Sequence, residues 1–168
     1  MFSWRITKYN PVFRNSSGAY LKNDWTSVAD IGKTFDSGLL TQETYIKVED
    51  AYIKAILLFM RYLNVSTLKI TRLSKHDLLR NNSYSETLLH TYATISNGQE
   101  ANPEQVDEIA RLALREDIGC QLQANKKMLV HFGYDYYMYI KSSKILSDFV
   151  KNEIEKNGLF VENFKSPY

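Results

Sequence analysis

Three histidines, one cysteine and a run of tyrosines are the side chains of this 168-residue chain best suited to chemistry. His76, His90 and His131 are scattered. No two lie four residues apart and none sits in an HExxH pair, the spacing that puts two imidazoles on one helix face toward zinc. Glu49-Asp50 and Glu116-Asp117 leave a carboxylate-only magnesium site open, but adjacent carboxylates on a helix diverge by about 100°, so the simpler reading of each pair is a solvated face. Cys120 is the single cysteine, which excludes an intramolecular disulfide framework and a cysteine zinc cluster. A two-residue loop at Asn125-Lys126 sets Cys120 opposite His131 on neighbouring strands, the arrangement of a thiolate–imidazole pair. With Asp135 or Glu116 as an added acid or base, that is the enzyme reading. Against it, a free cysteine usually behaves as a small buried hydrophobe. There is no GxxxxGK[ST], no GxGxxG and no GxSxG, and the glycines are too scattered to cradle a phosphate. No cofactor and no metal are expected.

The aromatic run is more distinctive. The chain has 12 Tyr against 8 Phe and 2 Trp, and HFGYDYYMY (131–139) holds four of the tyrosines. Tyr and Trp bury large area with few rotors and keep a hydrogen-bonding tip, which suits a recognition surface. The same residues also fill half-buried sheets. On the recognition reading the surface comprises His131, Tyr134, Tyr137 and Tyr139, with Trp4 and Trp25 nearby. Base stacking on such a sheet lacks the accompanying glycine-aromatic-basic run of RNA-binding sheets.

Charge adds a second candidate. The formal net charge is only +2. Residues 61–80 nevertheless carry Arg61, Lys69, Arg72, Lys75 and Arg80 against Asp77 alone, net +4, whereas 100–117 is net −4 with six acids against Arg111 and Arg115. These are either two solvated surfaces of opposite sign or a basic patch for an acidic partner.

The elements that must position these groups follow from periodicity. Trp4–Tyr9 predicts a first strand, ended by Asn10-Pro11, with a turn at Ser16-Ser17-Gly18. Trp25–Phe35 holds a short helix or strand broken at Gly32. Thr41 caps a helix over 42–63, whose Tyr45, Val48, Tyr52, Ile53, Ile56, Phe59, Met60 and Leu63 form a broad stripe suited to packing on a sheet. Thr67–Leu73 alternates as a strand, with Leu68, Ile70 and Arg72 on one side. Helices are predicted at 85–95, with Leu88, Leu89, Tyr92 and Ile95 inward, and from Asn102-Pro103 to about 116. Strands at 120–124, 127–132 and 136–141 form a meander (about 119–141). A three-residue GYD loop pairs Phe132 with Tyr136 and His131 with Tyr137, and places Asp135 in the left-handed region. A helix over 144–156 buries Ile145, Leu146, Phe149, Val150 and Ile154, and 159–164 adds an edge strand. The class is α+β: one domain over 1–168, an antiparallel or mixed sheet packed against the long helix and further helices. The N-terminus lacks an apolar signal region, and the longest apolar run, 55–60, falls far short of the ~20 residues that span a bilayer. The expectation is a cytoplasmic protein with no membrane association.

WRITKYNP (4–11), DWTSVADIG (24–32), LREDIGCQL (114–122) and HFGYDYYMY (131–139) resemble an uncharacterised group of small bacterial proteins. The resemblance covers most of the chain and implies a cytoplasmic bacterial single-domain protein without assigned catalytic residues. In size and type the chain is also similar to immunity proteins, which neutralise a toxin by binding it. The expected function is thus a non-enzymatic protein-binding module of immunity type. A small enzyme near Cys120 and His131 and a weak nucleic-acid-associated protein are the alternatives. A protein partner is expected, nucleic acid is not, and a homodimer is compatible with everything above.

Overall fold

A computed structural model describes residues 1–76, 84–165 and 167. Strand β1 (Phe2–Thr7) leads into a connection carrying two 3₁₀ turns and a small hairpin, β2 (Thr34–Phe35) with β3 (Gly38–Leu39). Then come α1 (Gln42–Tyr62), β4 (Leu68–Lys75), α2 (Glu86–Thr94), β5 (Glu100–Ala101) and α3 (Pro103–Leu114). The chain closes with β6 (Ile118–Ala124), β7 (Met128–Phe132), β8 (Tyr137–Ser142), α4 (Asp148–Lys156) and β9 (Phe160–Asn163). Among the described residues, seven strands make one sheet in the order β5-β4-β6-β7-β8-β1-β9, every pair antiparallel. The fold is a single α+β domain.

Local chemistry starts each helix where the sequence says it should. The Thr41 side chain accepts from the Thr44 N–H, and Ser85 and Ser147 cap α2 and α4 in the same way. Asn102 and Gln105 form a reciprocal capping box, with Pro103 in the first turn of α3. The helices pack on one face of the sheet. There Ile6, Met138, Ile140, Val130, Leu122 and Ile70 meet Tyr52, Ile56 and Phe59 of α1 and Ile109 of α3, all essentially without solvent exposure. Burial of this face is the main source of stability.

Three expectations are corrected in detail. The last helix begins at Asp148 rather than 144, so Ile145 and Phe149 are exposed rather than inward; Leu89 of α2 is likewise exposed. The β7–β8 hairpin is two residues longer than expected: Phe132 pairs with Met138 and His131 with Tyr139, because Asp135 and Tyr136 both take positive φ (55° and 61°) and leave the ladder. Gly133 makes this loop possible. Its N–H donates to the Tyr137 carbonyl at 2.7 Å, and a Cβ there would lie 2.8 Å from that same oxygen. Between β6 and β7, the Lys127 N–H donates to the Ala124 carbonyl and one further residue enters the turn. His131 therefore stands opposite Gln121, not Cys120.

Candidate functional site

Alternation along the strands gives the sheet a second face, which the described helices leave open. Across it, Thr71, Gln121, His131, Tyr139, Arg5 and Glu162 stand side by side on β4, β6, β7, β8, β1 and β9. Lys69, Gln123, Leu129, Lys141 and Ser3 form the adjacent row. Within the first row, Arg5 makes a two-pronged ion pair with Glu162 at 2.8 and 2.9 Å and lies 3.9 Å over the Phe164 ring. Gln121 Nε2 donates to His131 Nδ1 at 2.8 Å, which leaves the ring proton of the neutral imidazole on Nε2. Desolvation lowers the His131 pKa from its ordinary value, and the positive charges of Arg72 and Lys141 lower it further. The open face thus carries a positive field.

Arg72 reaches this face through a backbone irregularity. The β4–β6 register shifts between Thr71 and Ser74, and Arg72 takes φ 53°. The bulge re-aims a side chain that strict alternation would send inward with Leu68 and Ile70, which corrects the sequence expectation. Arg72 is exposed and lines a cleft of about 570 Å³ at the end of the face. Ser74, His131 and Tyr134 share its wall, and Ile118 and Phe132 supply apolar surface.

The structure separates the other candidate residues. Tyr134 is 79% exposed at the hairpin tip, whereas Tyr139 is 7% exposed, held in the row beside Phe164. Tyr137 is half-buried, accepts from Arg14 Nη1 at 2.9 Å and packs on Tyr9. Trp4 pairs with Ile140 on the helix-covered face and donates to Ser142 Oγ. Trp25 is 4% exposed, against Tyr45 and Tyr136. Neither tryptophan belongs to the His131 surface. Cys120 lines the same cleft as His131 and Glu116, but burial pushes its thiol up to about 12, the opposite of an activated nucleophile. Asp135 is exposed in the hairpin loop, and Glu116 lines the cleft. Of the basic patch, Lys69 and Arg72 are on the open face, and Lys75 donates to the Tyr92 carbonyl at 2.6 Å. Arg61 is exposed on α1 in the helix layer, and Arg80 lies outside the described residues. Among the described residues, no three of His, Cys, Asp and Glu are grouped to hold a metal ion, and no helix is long and apolar enough to cross a membrane.

Sequence reading missed a buried polar network. Glu49, expected on a solvated face, is completely buried. It accepts from Arg115 at 2.7 and 2.8 Å and from Arg111 at 2.8 Å, the two arginines lying one turn apart in the last turn and C-cap of α3. The Tyr45 hydroxyl donates to the same carboxylate, Tyr136 donates to Tyr45, and Tyr52 donates to the Tyr136 carbonyl. Burial opposes the Arg115 charge, but hydrogen bonding to Glu49 outweighs it and raises the Arg115 pKa. Each buried polar group is answered, and none of the larger clefts among the described residues is lined by Glu49, so the network acts as a lock between α1, α3 and the hairpin. The signal available in the sequence was the position of Glu49 one turn from Tyr45 and Tyr52, inside the apolar stripe.

At the end of the sheet, Lys8 is similarly enclosed. Its ammonium lies 4.1 Å from the centres of both the Tyr9 and Trp25 rings and forms an ion pair with Asp24 Oδ2 at 2.9 Å. Burial lowers its pKa to about 8 despite Asp24.

The site and fold define a class: a small α+β domain with one sheet face sealed by helices and the other presenting a polar-aromatic row beside a cationic cleft. No family model, no curated protein and no solved structure matches the chain.

Proposed function

We propose that this protein is a non-enzymatic binding module whose open sheet face docks an acidic surface of a protein partner. One observation carries the reading. A row of polar and aromatic side chains crosses six strands with no described α-helix over it; Gln121 and Tyr139 within it are buried, Arg14 covers its Glu162 end, and Lys69, Arg72 and Lys141 flank the rest. Such a face offers flat, pre-ordered contact area, and its positive field favours encounter with an acidic surface. Cys120 lines the cleft with His131 and Glu116, but its burial and raised thiol pKa support this reading over the enzyme alternative. The division of the basic stretch between the helix layer and the sheet weighs against a continuous nucleic-acid track. The particular form we favour is an immunity-type inhibitor in a bacterial cytoplasm, a reading that rests on size, type and the poverty of catalytic motifs.

The test is crosslinking from the open face, identification of the captured protein, and titration with that protein purified. Lys69→Glu combined with Lys141→Glu is expected to weaken binding about tenfold and to flatten its salt dependence. Unchanged affinity in a variant with a native circular dichroism spectrum rejects this face. Protection of cells co-expressing the partner supports the inhibitory form, and persistent toxicity despite tight binding rejects it.

A further inference from the structure

The open face ends in a concavity that flat protein docking does not use. Arg72 enters it from a β-bulge at φ 53°, a backbone state that glycine adopts freely and a long side chain does not. Backbone strain of this kind is retained where the side chain is needed, and here the side chain makes no ion pair or hydrogen bond with any other described residue. A guanidinium is a planar fork that matches a carboxylate with two parallel hydrogen bonds. The volume, about 570 Å³, is that of a small-molecule site, and Ile118 and Phe132 give it apolar surface. Tyr134, 79% exposed, stands at the same wall with its ring available for stacking. Glu116 also lines the cleft, but it is already partnered within the chain.

We propose that this cleft binds a small carboxylic acid with an aromatic-sized apolar body, the carboxylate on Arg72 and the body against Ile118, Phe132 and the Tyr134 ring. The inference stands apart from the protein-docking reading, because it concerns a concavity and a small ligand.

His131 supplies the reporter, since it shares the cleft and feels the Arg72 charge. Its imidazole resonances are followed by NMR during titration with 3-phenylpropionate, with 3-phenylpropionamide, which lacks the charge, and with acetate, which lacks the body. The expected result is a saturable shift with 3-phenylpropionate and a rise in the His131 pKa as the carboxylate offsets the Arg72 field. The amide and acetate should each bind about tenfold more weakly. Arg72→Gly suits the positive φ, so it should keep the wild-type melting temperature while losing affinity about tenfold. If Arg72→Gly does not fold, Arg72→Gln reads the same loss. Absence of a saturable shift, equal binding by either control compound, or undiminished binding by the folded Arg72 variant overturns the proposal.

Discussion

The two faces of one sheet treat charge in opposite ways. On the helix-covered side, the carboxylate of Glu49 is enclosed by two arginines and a tyrosine, so that no buried polar atom of the group lacks a partner. On the open side, Arg72 stands in solvent in the cleft it shares with half-buried His131, where desolvation lowers the His131 pKa and the charges of Arg72 and Lys141 lower it further. The same backbone ladder serves both. The difference shows that Glu49 on the covered side is a structural constraint, whereas Arg72 on the open side, exposed in its cleft, is placed to answer a ligand.

Removing one partner from the covered side should have the largest effect. Glu49→Ala leaves Arg115 buried and uncompensated and is expected to cost about 3–5 kcal/mol in urea unfolding. Glu49→Ala no more destabilising than an open-face substitution would erase the distinction.

Next comes the border between the faces, where Lys8 sits between Tyr9 and Trp25. Its folded-state pKa, about 8, lies below the ordinary lysine value of 10.5. Between those pH values the unfolded chain holds a proton that the native protein has released, so stability rises with pH across the window, by about 3 kcal/mol in full. Burial raises the pKa values of Tyr9, Tyr45, Tyr52 and Tyr136. Tyrosines in the unfolded chain ionise near pH 10 while these stay protonated, so stability should turn downward above about pH 10. Urea unfolding at pH 7, 8, 9, 10 and 11 reads both limbs, and Lys8→Met should remove only the rise.

Within the hairpin the contrast becomes a matter of single atoms. Tyr136→Phe deletes the hydroxyl that donates to Tyr45 and should cost about 1 kcal/mol, whereas Tyr134→Ala at the exposed tip should stay within about 0.5 kcal/mol. Equal effects would mean that the hairpin does not divide its tyrosines between inside and outside. The smallest effect is expected for Arg72→Gly, where relief of the positive φ offsets the added freedom of the unfolded chain and thermal unfolding should move by less than about 0.5 kcal/mol.

Much of this division was legible before any coordinates. The α1 stripe reads directly from its spacing, and seven of its eight positions are buried. The β7–β8 register was placed two residues off, yet His131, Tyr137 and Tyr139 still share a face and Met138 and Ile140 still point inward, because a shift of two preserves side-chain alternation. The β6–β7 register differs by one, which makes Gln121 rather than Cys120 the cross-strand partner of His131. Matching Leu122 with Val130, both fully buried, would have selected the observed register.

By itself the sequence determined what depends on neighbours along the chain: where capped helices begin, which residues alternate in the strands, and that the chain forms an α+β domain. Tertiary structure alone decided what depends on distant partners. Glu49 is buried where Arg111 and Arg115 at the C-terminal end of α3 reach it, Trp25 is inside where it packs on Tyr45 and Tyr136, and Arg72 lines the cleft where β4 bulges against β6. Each is a contact between segments far apart in the chain, and periodicity carries no information about such contacts.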